Sequence, residues 1–512
     1  MSKRSRDEVF EGGLPFYCRS GLTTAIPDEM PRNGHPAQHV LREIEDYHKL
    51  DFSEYLNTSS YVNVVAEPEE CAITLMGMRV NLADQTVYPQ SFRMHNWCVN
   101  IIAKLWHCPA PTSLRDGLVE SPKFSQDAVY SGAGTVGSTE VCLLAGLALK
   151  FRWRAWYSKK HGLNPEQALG VKPNIVISNL FQAAWEKLFR YMDVDYRLVN
   201  QSINEFKLDV SNLEQHIDDK TIGVVCIMGN HYGGQYDPVQ EVDQLLTKIN
   251  LEKEYQVGIH VDAASGGFVA PFQDDADPWD FRLSNVLSIS ASGHKFGESC
   301  IGTGWVVWRQ RRDLAEHVAV SVSYLGGDSD SYTLNFSRPA SGVYNQYYKL
   351  MRLGTQGYRI KTESMMEVAE FIRTSLKGIL VKDKPIFQIL DDGSSRKSLP
   401  VVAARIDPMA DRPYDDIDLQ CAISQFHWFV SGYHLKFEDP FSKKVVPLFS
   451  DEPEAATMFR VVVKSNLTMS LAKNLVRAFE DSIQFLEEHG KGYLQVHRSS
   501  KTHRGHKLLK KC

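Results

Sequence analysis

The sequence has no apolar run near the ~20 residues that a membrane-spanning helix needs, so no membrane role is expected. It has no C-x-x-C pair, and its nine cysteines, an odd number, are scattered from Cys18 to Cys512. Neither a disulfide framework nor a metal site fits that pattern; reduced thiols in a cytoplasmic protein do. An excess of positive charge is also missing. There are 57 Lys and Arg against 62 Asp and Glu, a net charge of −5, which argues against a nucleic-acid partner. No apolar stretch follows the basic start Met1-Ser-Lys-Arg-Ser-Arg, so no secretory signal is expected.

What is present is an ordinary globular composition, 43% hydrophobic and 23% charged over 512 residues, enough for two or three domains. Residues 1–70 are punctuated by Pro and Gly and read as an N-terminal arm. A short amphipathic helix is expected over 36–50, with Val40, Leu41, Ile44 and Tyr47 on one face. That arm either hugs a partner subunit or is a flexible leader.

Residues 71–350 read as a large α/β domain. Short β-branched runs bounded by turn residues, at 174–178, 223–228, 259–262, 286–290 and 304–309, are the expected strands of a mostly parallel buried sheet. Helices are expected over 138–153 and 240–249. In such a sheet ligands gather at the carboxyl ends of the strands. Residues 351–495 read as a smaller α+β C-terminal domain: a helix over 362–380, strands at 385–390, 401–406 and 458–463, and a helix from about 468 that stops at Gly490. The tail 496–512 has six Lys and Arg and no acid, and is expected to be disordered.

The chemistry concentrates at strand ends. Ser290-Ala-Ser-Gly-His-Lys295 follows an apolar strand; a lysine buried there loses its proton more easily and becomes able to form a Schiff base. His260-Val-Asp262-Ala-Ala-Ser-Gly-Gly-Phe ends another strand, and a carboxylate buried at that place wants a cationic partner. The small Ala263-Ala264 pair leaves room for a flat ring. Gly132-Ala-Gly-Thr-Val-Gly137-Ser138-Thr139-Glu140 opens a helix, where glycines and free N–H groups can cradle an anion. A Schiff-base lysine, a carboxylate for a ring nitrogen and a phosphate cradle are together what pyridoxal 5'-phosphate requires.

On these stretches, with Tyr324-Leu-Gly-Gly, Asn335-Phe-Ser-Arg-Pro, Cys98-Val-Asn and Leu105-Trp-His-Cys-Pro-Ala-Pro, the chain resembles the glutamate decarboxylases of the group II pyridoxal-phosphate decarboxylases, over about 36–490. The resemblance implies the pyridoxal-phosphate transferase fold of the aspartate aminotransferase type, fold type I. It implies that Lys295 bonds the cofactor and Asp262 pairs with its ring nitrogen. Ser138 and Thr139 would bind the phosphate, with Ser292 and His294 close by, and Ala264 would lie against the ring. Gln182 matches the residue over the ring face, and Ser337 a phosphate contact donated across a dimer interface. Tyr324 matches a proton donor on a mobile loop. Arg460 matches the arginine that grips a substrate carboxylate, and Asn81 and Asp84 fall where the family recognises the distal carboxylate. Asn81 and Asp84 also read simply as turn residues, and Gln182 as a helix cap.

Three departures bear on the substrate. Ser60-Tyr61 stands where the family has threonine-phenylalanine, adding a phenol near the substrate, and His231 stands for a threonine beside the cofactor. Phe296-Gly-Glu298 also replaces a mostly apolar stretch. The implied activity is that of a carboxy-lyase, converting an acidic amino acid, L-glutamate, to 4-aminobutanoate and CO2. The alternatives are the same chemistry on aspartate, cysteine sulfinate or a specialised-metabolism substrate, and, in another class, a non-catalytic binding or regulatory homologue. A homodimer or higher homo-oligomer with shared active sites is implied. A calmodulin-type partner at the tail is the weaker expectation, because the tail lacks a tryptophan anchor.

Overall fold

The computed structural model describes residues 30, 33–110, 130–203, 205–274, 277–314, 320–322, 329–331, 333–391, 398–439, 442–449, 451 and 456–508, with the backbone alone at 165, 320–322, 329–331 and 491–508. Two compact units result, Met1–Ser53 and Glu54–Cys512. In the first, helix α1 (Ala37–His48) forms as its apolar spacing dictates, and Val40, Leu41, Ile44 and Tyr47 are exposed.

The second unit is organised by a seven-stranded sheet: β1 (Ser131–Thr135), β2 (Asn174–Ser178), β3 (Asp195–Val199), β4 (Thr221–Ile227), β5 (Gly258–Asp262), β6 (Val286–Ala291) and β7 (Gly304–Trp308). Its order is β1-β7-β6-β5-β4-β2-β3, with β7 antiparallel to both neighbours and the rest parallel. Every residue of β2, β4, β5, β6 and β7 is buried, which is why these strands are near-continuous apolar runs rather than alternating ones. Helices α2 (Pro68–Gly77), α3 (Pro89–Leu105), α4 (Ser138–His161), α5 (Ala183–Tyr191) and α6 (Val239–Lys253) belong to the same unit.

The stretch Gly132-Ala-Gly-Thr, taken in sequence with the segment that opens a helix, is instead strand β1. Its glycines are there for space: a Cβ at Gly132 would sit 2.6 Å from Val99 Cγ1, and one at Gly134 2.9 Å from the Trp305 ring.

The long helix α7 (Ser341–Lys377) starts well before the expected 362 and crosses the expected boundary at 350. Gly342, Gly354 and Gly357 interrupt its periodicity, and Gly354, with a non-helical φ of 57°, kinks it into two helical stretches; the element as a whole packs on α2 and α3. Beyond it lies an antiparallel sheet of β8 (Phe387–Ile389), β9 (Val401–Ile406), β10 (Gly432–His434) and β11 (Thr457–Val462), in the order β8-β9-β11-β10. It is flanked by α8 (Asp416–Ile423) and α9 (Met469–Leu508).

Helix α9 does not stop at Gly490. That glycine is buried beside Tyr414 and Pro413 and lies within the helix rather than at its end. The backbone continues helical to Leu508, through most of the tail expected to be disordered.

Arg373 of α7 and Asp391, just past β8, form a buried ion pair, with Arg373 Nε 2.7 Å from Asp391 Oδ2. Removing one partner of such a pair strands the other charge. Arg373→Met is therefore expected to lower stability by about 3–5 kcal/mol in urea denaturation at pH 7; a loss below ~1 kcal/mol contradicts this reading.

Candidate active site

Asp262 is the last residue of β5, so its carboxylate emerges at the carboxyl edge of the sheet while its backbone stays in the ladder. Three groups orient it: the Ala264 N–H donates to Oδ1 at 3.1 Å, Trp185 Nε1 donates to Oδ2 at 2.7 Å, and the Cys142 thiol lies 3.8 Å from Oδ2. Burial pushes the Cys142 thiol well above its usual range, with Asp262 adding to the effect, so it stays a protonated donor.

Lys295 follows the neighbouring strand β6. Its turn is closed by the Lys295 N–H to Ser292 O at 3.2 Å and the Glu298 N–H to Lys295 O at 3.0 Å. Gly293 makes that turn possible, since a Cβ there would lie 2.2 Å from Gln346 Oε1. The ammonium donates to Ser265 Oγ at 3.1 Å and sits 5.3 Å from the centre of the Tyr61 ring. Burial lowers the Lys295 pKa to about 8, with Arg460 pushing the same way and Asp262 and Cys142 opposing. The free amine is thus accessible near neutral pH.

Lys295 and Asp262 face one cavity, whose wall also contains Gln182, His231, Ala264 and Ser265. Gln182 stands at the N-cap of α5 but its side chain makes no capping bond, which leaves it free for the cavity. His231 is presented by a rigid turn after β4, where Asn230 Oδ1 accepts from the N–H groups of Tyr232 and Gly233 at 3.0 and 2.8 Å. Burial, then Arg460 and Lys295, push its imidazole well below the usual histidine range, so it is neutral.

Gly137, with φ +146°, turns the chain from β1 into α4, whose first residues are Ser138 and Thr139. The unpaired N–H groups of a helix start favour an anion there. His294 closes one side: its Cε1 lies 3.3 Å from where a Gly137 Cβ would be, and its Nδ1 accepts from the Thr303 N–H at 3.2 Å. Burial, then Lys295, lower its pKa to about 4, so it too is neutral. Ser292 Oγ is buried without a hydrogen-bond partner among the described residues.

Arg460, on β11, is 2% exposed. Its Nη2 donates to Ser59 O at 2.9 Å, while Nε and Nη1 are buried with no partner among the described residues. Its guanidinium lies over the rings of Tyr61, at 4.8 Å, and Tyr433, at 5.2 Å. Two idle donors on a buried guanidinium suit a carboxylate. The Tyr61 hydroxyl, expected to be a phenol for the substrate, instead donates to His231 O at 3.3 Å, tying two of the departures together. Ser60 Oγ likewise accepts a local bond, from the Val62 N–H at 3.2 Å.

Asn81, Asp84 and Ser337 form a separate group. Asn81 Nδ2 lies 3.2 Å from Asp84 Oδ2 and 3.5 Å from Ser337 Oγ, and none of the three lines the cavity of Lys295 in one chain. Tyr324 lies outside the described residues. Sequence reasoning missed Trp185, Cys142, Ser265 and Tyr433. Trp185 and Ser265 each lie three residues past a residue it had singled out, Gln182 and Asp262.

The donor set fits pyridoxal phosphate: a buried amine of lowered pKa and an oriented carboxylate on one cavity, with an idle buried hydroxyl and a glycine-led helix start nearby. Fold and site together define a pyridoxal-phosphate enzyme of fold type I. The pyridoxal-dependent decarboxylase conserved domain matches residues 24–403, and the chain belongs to that family, a family of carboxy-lyases. It is 34% identical over 433 residues to the glutamate decarboxylase of Lactococcus lactis subsp. lactis (strain IL1403), covering 85% of this chain and 84% of that one. It is 34% identical over 472 residues to that of Petunia hybrida, covering 91% and 85%. The solved glutamate decarboxylase of Lactobacillus brevis CGMCC 1306 superposes with a TM-score of 0.79 at 33% identity, over 92% of this chain and 97% of that one. Oryza sativa TDC with PLP, at 14% identity and a TM-score of 0.67, over 92% of this chain and 91% of that one, shares the fold alone.

The lowered Lys295 pKa has a direct readout. Labelling of Lys295 in the cofactor-free protein by an amine-reactive reagent, followed by peptide mass spectrometry, is expected to rise with a midpoint near pH 8. Asp262 favours the ammonium form, so Asp262→Ala moves that midpoint lower; an unchanged or higher midpoint contradicts the assignment.

Proposed function

We propose that the chain decarboxylates L-glutamate at Cα, releasing 4-aminobutanoate and CO2. The observation that carries this reading is the shared cavity of Lys295 and Asp262, with the two idle donors of Arg460 beside the same Tyr61 ring. Pyridoxal phosphate, when bound, supplies a protonated ring that takes up the electron pair left by a departing carboxylate.

The residues' parts follow from their chemistry. Lys295 would hold the cofactor through its buried amine, whose lowered pKa keeps a free electron pair available near neutral pH. Asp262 accepts the hydrogen bond of the ring nitrogen and holds its proton. Gln182 and Ala264, in the cavity wall, would hold the ring, while Ser138, Thr139, Ser292 and His294 would hold the phosphate. Arg460 holds a substrate carboxylate and fixes which bond at Cα can break. Tyr324 returns a proton to Cα.

Asn81, Asp84 and Ser337, grouped away from the cavity of their own chain, are assigned to the active site of a second copy, where they meet the distal carboxylate and the phosphate. The enzyme is accordingly a homodimer or larger homo-oligomer. Its seven described cysteines are all free, which supports a reducing cytoplasm. A second reading keeps the chemistry and changes the acidic substrate, supported by the His231 imidazole in the cavity wall.

A panel of glutamate, aspartate and cysteine sulfinate, with products identified by mass spectrometry, tests the proposal. Glutamate is expected to give 4-aminobutanoate at the highest kcat/KM; no glutamate turnover rejects the proposal, and turnover of another acid in its place selects the second reading. Lys295→Ala is expected to lose at least ~10³-fold in kcat, and Arg460→Met to lower kcat/KM by about 10²-fold.

A further inference from the structure

Glu298 lies three residues past Lys295 and is 4% exposed, although it carries a charge. Its backbone is left-handed, with φ +58°, a conformation that costs any residue but glycine. A carboxylate both buried and strained in this way persists only if its surroundings hold it. They do so from three sides. The side chain forms an ion pair with Lys361 of α7. The backbone carbonyl accepts from Asn63 Nδ2 at 2.8 Å, and the N–H closes the turn on Lys295 O at 3.0 Å.

The adjacent Gly297 carbonyl is gripped by α7 as well, accepting from Tyr358 Oη at 2.8 Å and Gln346 Nε2 at 3.2 Å. Asn63 in turn donates its N–H to His294 O at 2.9 Å. Residues 297–298 are therefore a junction of three parts. These are the turn that carries Lys295, the helix α7, and the segment with Ser59, whose carbonyl takes Arg460, and Tyr61, whose ring lies under both Lys295 and Arg460.

We propose that the Glu298–Lys361 ion pair is a positioning element of this enzyme: it clamps the Lys295 turn to α7 and thereby fixes the amine relative to the Tyr61–Arg460 side of the cavity. Neither residue touches the cavity that Lys295 lines, so their effect is exerted through the turn. The inference rests on Lys295 being the cofactor-bearing lysine. It goes beyond that reading by giving an acid and a base outside the reacting centre a part in the reaction.

The test uses the full chain and the variants Lys361→Met, Lys361→Arg and Glu298→Gln. In the cofactor-free protein, Lys361→Met is expected to raise amide hydrogen exchange across residues 293–303 by about tenfold, and Lys361→Arg to restore the protection. In the loaded enzyme, Lys361→Met and Glu298→Gln are expected to lower kcat by about tenfold with KM changed less than about threefold. They are also expected to move the pH midpoint of the cofactor's visible band by at least about half a unit, again restored in Lys361→Arg.

A merely structural role would lower the melting temperature and leave the exchange pattern at 293–303 and the band midpoint where they were. That result, or a failure of arginine to rescue, overturns the proposal. Should Lys361→Met not fold, Glu298→Gln, which keeps the side chain's shape, decides on the same readouts. A wild-type protein that binds no pyridoxal phosphate would reject the proposed function, while the exchange measurement would still judge the clamp.

Discussion

The site depends on one constraint: an amine and a carboxylate must be kept in the same water-poor cavity without simply neutralising each other. Neighbouring strands of the sheet meet it. β5 ends at Asp262, β6 runs beside it with Asp262 opposite Ser290, and the turn after β6 brings Lys295 back over the strand ends. Trp185, Cys142 and the Ala264 N–H occupy the carboxylate, and Ser265 occupies the ammonium. Each group therefore has a neutral partner and stays available to a cofactor. Burial then lowers the amine's pKa, while the rigid strands hold the geometry.

The central strands were legible because burial on both faces forces apolar runs, and β2 and β9 fall where those runs predicted. Strand β3 was not, since Asp195-Tyr-Arg-Leu-Val mixes polar and apolar residues and is only partly buried. Helix α3 is held by packing of residues such as Ser91, His95 and Cys98, which carry no strong helical signal. At the site, residues in motifs were legible, while those that serve the motifs were not. Trp185 reaches Asp262 only once α5 is laid against the sheet, 77 residues away in sequence.

The departures from the family pattern also acquire a physical meaning in three dimensions. Tyr61 and His231 touch each other, through a hydrogen bond at 3.3 Å and rings 6.1 Å apart, so they act as one altered wall of the pocket. Because the phenol is spent on a backbone carbonyl and the imidazole is neutral, that wall changes shape and polarity without adding a charge. Glu298 does add a charge, and Lys361 answers it at once.

The central claim is that position 295 bonds the cofactor, and borohydride reduction of the protein mixed with pyridoxal phosphate tests it most directly. After proteolysis, mass spectrometry should find the pyridoxyl phosphate mass on the peptide bearing Lys295 and lose it in Lys295→Ala. An adduct fixed mainly to another lysine, or none at all, would contradict the account.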